Sequence, residues 1–496
     1  MLRKIRIILA TVFFAGITLL FLDFTGTIHC LTGWMAKIQF LPAVLALNVV
    51  VIVFLILLTL ICGRIYCSVI CPLGIMQDII AWFGKKAKKN RYAYSAAKNW
   101  LRYGMLAVFV AALVAGASSI VSLLAPYSAF GRIASNLLAP VYGWCNNLLA
   151  WGAEQADSLA FYRTEVSTGG TLMVAVAAVT LVLLFILAWR NGRTYCNTIC
   201  PVGTVLGFLS RWSWLKPVID TSKCVNCRLC ERNCKSACIN TAEHSIDYSR
   251  CVACMDCINK CHSGAISYKH CAKPAAKKET AGKEENVDNG RRAFMTTAAA
   301  LTATAALKAQ KQKVDGGLAV IEDKKIPERK RHIVPAGALS AKNLAQHCTS
   351  CQLCVSACPN DVLRPSTDLM RLMQPEMSYE RGYCRPECTR CSNVCPTGAI
   401  RPITVEDKTA IQIGRAVWIK KNCLPAIDGT ACNNCAHHCP TGAIQMVPSD
   451  PENEDSPKIP AINEAKCIGC GACENLCPSR PYSAIYVEGF ERHGEI

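Results

Sequence analysis

Long apolar runs separated by short basic or neutral stretches open this chain. One follows Arg6 and extends to about Leu22, and others cover residues 42–62, 101–125 and 171–189. Each is close to the ~20 residues a helix needs to cross the hydrocarbon of a bilayer. The stretches between them differ in charge. Residues 84–102 (GKKAKKNRYAYSAAKNWLR) are strongly basic, as is the region after Trp189, with Arg190, Arg193, Arg211 and Lys216. Residues 23–40 and 126–170 are nearly neutral. Because Lys and Arg stay on the cytoplasmic side, this asymmetry predicts four spans with both ends in the cytoplasm of a bacterial inner membrane. The basic start, Met1–Arg6, would also suit a signal peptide, but no clear small-residue cleavage site follows and further spans do. The 130–160 stretch is apolar enough for an interfacial helix. Beyond 215, apolar residues come in short clusters between cysteines, until AKPAAKKETAGKEENVDNG reads as a flexible polar linker. These shifts divide the chain into a helical membrane domain (1–215), a small cysteine-rich module (216–272) and a linker (273–290). A mildly apolar segment (291–310) and a second cysteine-rich domain (311–496) complete it.

The membrane part contains a repeat. GRIYCSVICPLG (63–74) and GRTYCNTICPVG (192–203) each follow an apolar run at its cytoplasmic end, so the four spans form two repeated hairpins. Each copy brings a C-x3-C-P pair: Cys67 with Cys71, and Cys196 with Cys200. Pseudo-two-fold packing would gather four thiols at the cytoplasmic boundary. They could form a metal or cluster site or a redox-active dithiol, or simply pack as small hydrophobes. His29, beside Cys30 after the first span, lies where a quinol headgroup could release protons. A capped or solvated histidine is the plainer reading. Cys30, Cys62, Cys145, Cys238 and Cys271 fall outside any repeat and have no assignment beyond packing.

Thirty-three cysteines among 496 residues need a collective cause. An odd count in dense C-x2-C runs argues against disulfides, and zinc ribbons use two-cysteine knuckles instead of repeated four-cysteine runs. Two runs, CVNCRLCERNC (224–234) and CVACMDCINKC (251–261), spell C-x2-C-x2-C-x3-C. In two-cluster ferredoxins this spacing gives three ligands to one 4Fe–4S cluster and the fourth cysteine to the other. The expected sets are Cys224, Cys227, Cys230 and Cys261, and Cys251, Cys254, Cys257 and Cys234. Four further groups follow: Cys348, Cys351, Cys354, Cys358; Cys384, Cys388, Cys391, Cys395; Cys423, Cys432, Cys435, Cys439; and Cys467, Cys470, Cys473, Cys477. All four end in Cys-Pro, which turns the chain away from the last ligand. The second and third are widened, and spacing alone does not tell which groups exchange their fourth cysteine. PTGAI at 396–400 and 440–444 predicts a turn and strand closing each ferredoxin half. The expected fold is therefore a membrane α-helical domain plus α+β ferredoxin-like modules holding about six 4Fe–4S clusters.

The formal charge of +19 does not imply nucleic acid, since no clustered basic recognition motif accompanies it. Six clusters of about −2 each would offset much of it. No catalytic acid, base or nucleophile constellation is present, and no C-x-x-C-H indicates covalent haem.

Arg291-Arg292-Ala293-Phe294-Met295, followed by an Ala-rich stretch, has the form of a twin-arginine export signal, with 294–309 as a candidate fifth span. With the paired GR-x-YC-x3-CP elements and the ferredoxin module after them, the membrane half resembles the NapH-type membrane ferredoxins of periplasmic nitrate reductase systems. The tail, with RRAFM and four cysteine groups, is similar to the NapG/MauM-type exported ferredoxins. The chain departs from these families in placing the export signal internally, and in Lys235 and His262 where a Pro usually follows the fourth cysteine. The resemblance implies a quinol dehydrogenase subunit that draws on the membrane quinol pool and feeds an exported reductase or cytochrome, with residues 216–272 cytoplasmic and the tail periplasmic. A soluble cytoplasmic electron donor is the alternative source. Other readings are a CcoG-like cofactor-assembly or metal-reducing protein and a NosR-like redox regulator.

Overall fold

The computed structural model describes residues 2–270 and 322–496, apart from short gaps at 24, 89–91, 159, 165 and 167–169. Cys271 and the Arg291-Arg292 segment lie outside the described residues.

The apolar runs become helices, but not four uninterrupted ones. Among the described residues, Leu2–Leu22 (α1) and Thr171–Asn191 are long and apolar enough to cross a membrane, and Val49–Cys62 and Asn99–Val114 are shorter apolar helices. The run at 42–62 divides because the Asn48 side chain caps a new helix, accepting from the Val51 N–H at 3.2 Å. The run at 101–125 divides at Ala115–Ala117, where the chain turns before a second helix, Ser118–Leu124. In both repeat copies the helix ends on a glycine of positive φ, Gly63 (66°) and Gly192 (68°), which turns the chain into the C-x3-C-P element. The outer surfaces are apolar: Val50, Phe54, Val114, Val179, Leu183 and Ile186 are all exposed.

The expected interfacial helix proves to be two things. Ala139–Gln155 exposes Val141, Tyr142, Trp144, Leu148 and Trp151, as an interfacial helix would. The preceding helix, Pro126–Ile133, is buried along its whole length. It continues through a π-helical turn, Ala134–Leu138. Burial was not legible in its composition because part of its cover is supplied from the other end of the sequence: Ser135 meets Ser356 (2.9 Å), and Asn136 donates to Gln352.

The first cysteine-rich module is a small α+β unit closed by an antiparallel pair, Leu215–Ile219 (β1) with Ile266–His270, in the register Leu215↔His270. In the tail, Ile411–Trp418 pairs with Ile485–Glu495 and Ile444–Asp450 with Asn453–Ile462, both antiparallel. PTGAI at 440–444 enters a strand as expected. PTGAI at 396–400 does not, because the backbone after it bonds to a loop: Arg401 N–H donates to Gly337 O at 3.0 Å.

The two cysteine-rich units sit at opposite ends of α1. Near its start, Arg3 pairs with Asp256 of the first module at 2.7 Å. Near its end, Phe21 packs in one core with Cys351 and Leu353 of the tail. A helix of 21 residues spans about 31 Å between those ends.

Candidate metal centres

Spacing becomes geometry through paired left-handed residues. In four runs, the second and fourth residues after the first cysteine have positive φ: Asn226 and Arg228, Ala253 and Met255, Ser350 and Gln352, Gly469 and Gly471. This curls three thiols round one centre and turns backbone N–H groups inward, an anion-binding arrangement. Only one of the four runs uses glycine at these positions. The other three accept a left-handed cost of order 1 kcal/mol per residue. The widened runs at 384–391 and 423–435 show no such pair.

Cys224, Cys227, Cys230 and Cys261 line one cavity, and Cys234, Cys251, Cys254 and Cys257 line its neighbour. In the tail, Cys358 joins Cys384, Cys388 and Cys391 around one cavity. Cys477 joins Cys423, Cys432 and Cys435, and Cys439 joins Cys467, Cys470 and Cys473. Cys395 is the thiol of the second run whose charge acts on Cys348, Cys351 and Cys354 alike. Each tail pair of groups therefore exchanges its fourth cysteine. Fourth cysteines also accept backbone N–H groups, from Ile400 to Cys395 (3.5 Å), Ala443 to Cys439 (3.2 Å) and Ala484 to Cys477 (3.3 Å). Such bonds support thiolate charge and tune a cluster's potential. Four thiols around a largely apolar cavity, with N–H donors aimed at sulfur, fit a 4Fe–4S cubane.

Lysine cations hold these loops. Lys324 donates to the carbonyls of Glu474, Asn475 and Cys477 at 2.7–2.9 Å, and Lys408 to those of Arg385 and Cys388.

Cys238 is a thiol the sequence reading passed over. It lines the cavity of Cys234, Cys251, Cys254 and Cys257, with its sulfur 3.5 Å from that of Cys234. Its one signal, a further x3 step after a complete C-x2-C-x2-C-x3-C run, matches no ferredoxin spacing.

The C-x3-C-P elements meet at the module end of the helices, and Cys67, Cys71, Cys196 and Cys200 are all buried in one core. Two fully buried arginines cross between the copies. Arg64 donates to Cys196 O (3.2 Å) and Arg193 to Cys67 O (2.6 Å). Asp78 collects Arg193 (2.8 Å), Arg6 (2.9 Å) and Lys235 of the module (3.6 Å). Asp78→Asn would strand these cations in a low-dielectric interior. The expected loss is about 3–5 kcal/mol, read as a lower unfolding temperature in detergent.

Two family models match the chain. A 4Fe-4S binding domain matches residues 44–91 and again 171–219, and a 4Fe-4S dicluster domain matches 347–399 and 430–480. The methylamine utilization ferredoxin-type protein MauM of Methylophilus methylotrophus is 32% identical over 167 residues, which are 32% of this chain and 72% of that protein. The chain belongs to the MauM family of ferredoxin-type proteins. MauM of Methylobacillus flagellatus is 32% identical over 147 residues, 29% of this chain and 62% of that protein. The ferredoxin-type protein NapH of Haemophilus influenzae is 26% identical over 176 residues, and the chain spans 48% of its length. No solved structure matches. This MauM-family chain is an iron–sulfur electron-transfer protein with multiple 4Fe–4S sites.

Proposed function

We propose that this protein carries electrons across a bacterial inner membrane, from quinol to an exported reductase or cytochrome. The observation that carries this reading is the placement of two multi-centre ferredoxin units at opposite ends of α1, with apolar, outward-facing helices between them. Four crossings are supplied by α1, the 171–191 helix and the two broken runs. The basic module end is cytoplasmic and the tail end exported, the tail reaching its side through the twin-arginine segment. When bound, 4Fe–4S clusters accept and release single electrons. Oxidation of one quinol to quinone yields two electrons, taken one at a time, and two protons. His29 supports a quinol site at the tail end of α1. Among the described residues its two buried ring nitrogens meet no hydrogen-bond partner, and burial holds its imidazole below the usual range.

A second reading is favoured by one feature. In the first module Cys227 is exposed, and the neighbouring Val225 is 71% exposed, so a soluble cytoplasmic donor could approach that centre directly.

The two readings separate in one experiment. Anaerobically purified protein in detergent is mixed with a reduced quinol analogue and followed by electron paramagnetic resonance with an iron count. Appearance of reduced-cluster signals is the expected result. A fully iron-loaded protein that stays oxidised with quinol, yet is reduced by a soluble ferredoxin, would transfer the entry point to the module.

A further inference from the structure

Five thiols line the second cavity of the first module, and a cubane takes four. We infer that Cys238 is a reserve ligand of that centre. With Cys234 on the iron, the Cys238 S–H donates to the Cys234 thiolate; with Cys234 missing, Cys238 binds the same iron. The inference rests on the 4Fe–4S assignment of this cavity and is independent of the direction of electron flow.

Distance is the first observation. The Cys238 sulfur lies 3.5 Å from that of Cys234, in the cavity that both share with Cys251, Cys254 and Cys257. It also hydrogen-bonds the Cys251 thiol. With metal–thiolate bonds of about 2.3 Å, the length found at zinc, one metal can reach either of two sulfurs this close. An exchange between them therefore needs little backbone movement. Cys238 is 1% exposed, so the ligand sulfurs are the acceptors its proton meets.

The other runs supply the second observation. Four residues after the fourth cysteine stand Ala265 (after Cys261), Ala399 (after Cys395) and Ala443 (after Cys439). All three are as buried as Cys238. Val362 and Pro481 hold the same place after Cys358 and Cys477. The Ala443 N–H donates to Cys439 Sγ (3.2 Å), and the Cys238 N–H bonds Cys234 in the same way. A methyl group thus satisfies both backbone and packing at this position. The sulfur of Cys238 is an addition that the fold does without elsewhere, and it meets two ligands.

The hold on the loop is the third. Cys234 and Cys238 are the two ends of one short turn, and the helical domain holds each carbonyl between them. Lys235 O accepts from Arg193 N–H (2.9 Å), Ser236 O from Asn197 Nδ2 (3.4 Å) and Ala237 O from Ser95 N–H (3.3 Å). Ala237 takes a left-handed φ of 49°, which brings Cys238 back beside Cys234. The two thiols are therefore kept on one corner of the cavity.

The exchange involves no electron. The four ligand thiols give up their protons on assembly, and Cys238 keeps its own. Where Cys234 is absent, Cys238 releases its proton to solvent and its sulfur forms the iron bond that Cys234 would have made. A hydrogen bond to a ligand sulfur favours the more negative, reduced state and so raises the potential of the centre.

The test is an iron count and a redox titration on the full chain, purified anaerobically in detergent. Cys234→Ala should keep the parent's iron, and Cys234→Ala/Cys238→Ala should lose about four irons. Loss of about four from Cys234→Ala alone overturns the reserve role. Should Cys234→Ala fail to fold, the near-isosteric Cys234→Ser takes its place, with Cys234→Ser/Cys238→Ala as its pair. Cys238→Ala introduces the residue that three other runs carry. It should keep full iron and lower the midpoint potential of one centre, while Cys238→Ser, which retains a hydroxyl donor, should restore it. Potentials equal to the parent's in both variants overturn the hydrogen bond. Cys254→Ser tests the cavity itself and should lose about four irons; no loss there would overturn the cluster assignment, separately from the role of Cys238.

Discussion

Replacing Gly131 with leucine is expected to undock the tail from the membrane helices and to stop electrons passing between them, while iron content stays at its parent level. The first side-chain carbon at that position would lie 2.2 Å from the Cys351 carbonyl oxygen and 3.0 Å from the Phe21 ring. The oxygen belongs to the backbone of a ligand loop and has no rotamer to escape into. Overpacking a tight core typically costs about 1–3 kcal/mol even when side chains can adjust. Here the cheaper response is separation of the two surfaces. Ser135→Ala in the next turn is the control. It removes only the hydroxyl pair with Ser356 (2.9 Å), worth about 1 kcal/mol, and should leave transfer nearly intact. Stopped-flow reduction of the tail clusters, with proteolytic nicking of residues 348–358 as a second readout, checks both. Unimpaired transfer in the leucine variant would mean that the electrons take another route.

Pairs of cysteine substitutions should remove clusters in a pattern that consecutive numbering would not produce. Cys358 and Cys384 belong to different sequence groups but line one cavity. A Cys358→Ser/Cys384→Ser variant should therefore lose about four irons, one cluster. Cys395→Ser/Cys384→Ser stays within one sequence group but touches two ligand sets, and should lose about eight. The same contrast holds in the second half. Cys423 with Cys477 costs one cluster, whereas Cys423 with Cys439 costs two. Iron counts that follow the sequence groups instead would remove the exchange.

The most legible features were those whose physics is local. Ligand spacing in 224–261 was enough to place Cys261 with Cys224, and Cys234 with Cys251, because both runs are regular. In the tail the extra residue between Cys384 and Cys388 and the long step from Cys423 to Cys432 replace the paired left-handed turn. Only the folded chain shows where Cys358 and Cys477 go. The repeat at 63–74 and 192–203 did announce four convergent thiols. The arginines that cross between the copies were in plain sight within it, but their reciprocity is a tertiary fact. Helix breaks at Asn48 and at 115–117 fall inside runs whose apolar character is continuous, so hydropathy passed over them. The burial of Pro126–Ile133 and of the turn after it draws on Cys351, which Gly131 meets, and on Gln352 and Ser356, which bond to Asn136 and Ser135, all more than 200 positions away.

The exchanged fourth cysteines also impose an order on biosynthesis. A ribosome that has released Cys348, Cys351 and Cys354 has not yet made a closed site, because the fourth thiol arrives only with Cys395. The three ligands beginning at Cys423 wait in the same way for Cys477. Iron–sulfur loading of each tail half therefore waits for its last-made ligand, Cys395 in the first half and Cys477 in the second. A stop codon anywhere between Cys439 and Cys473 would abolish two centres at once and leave the two before them intact.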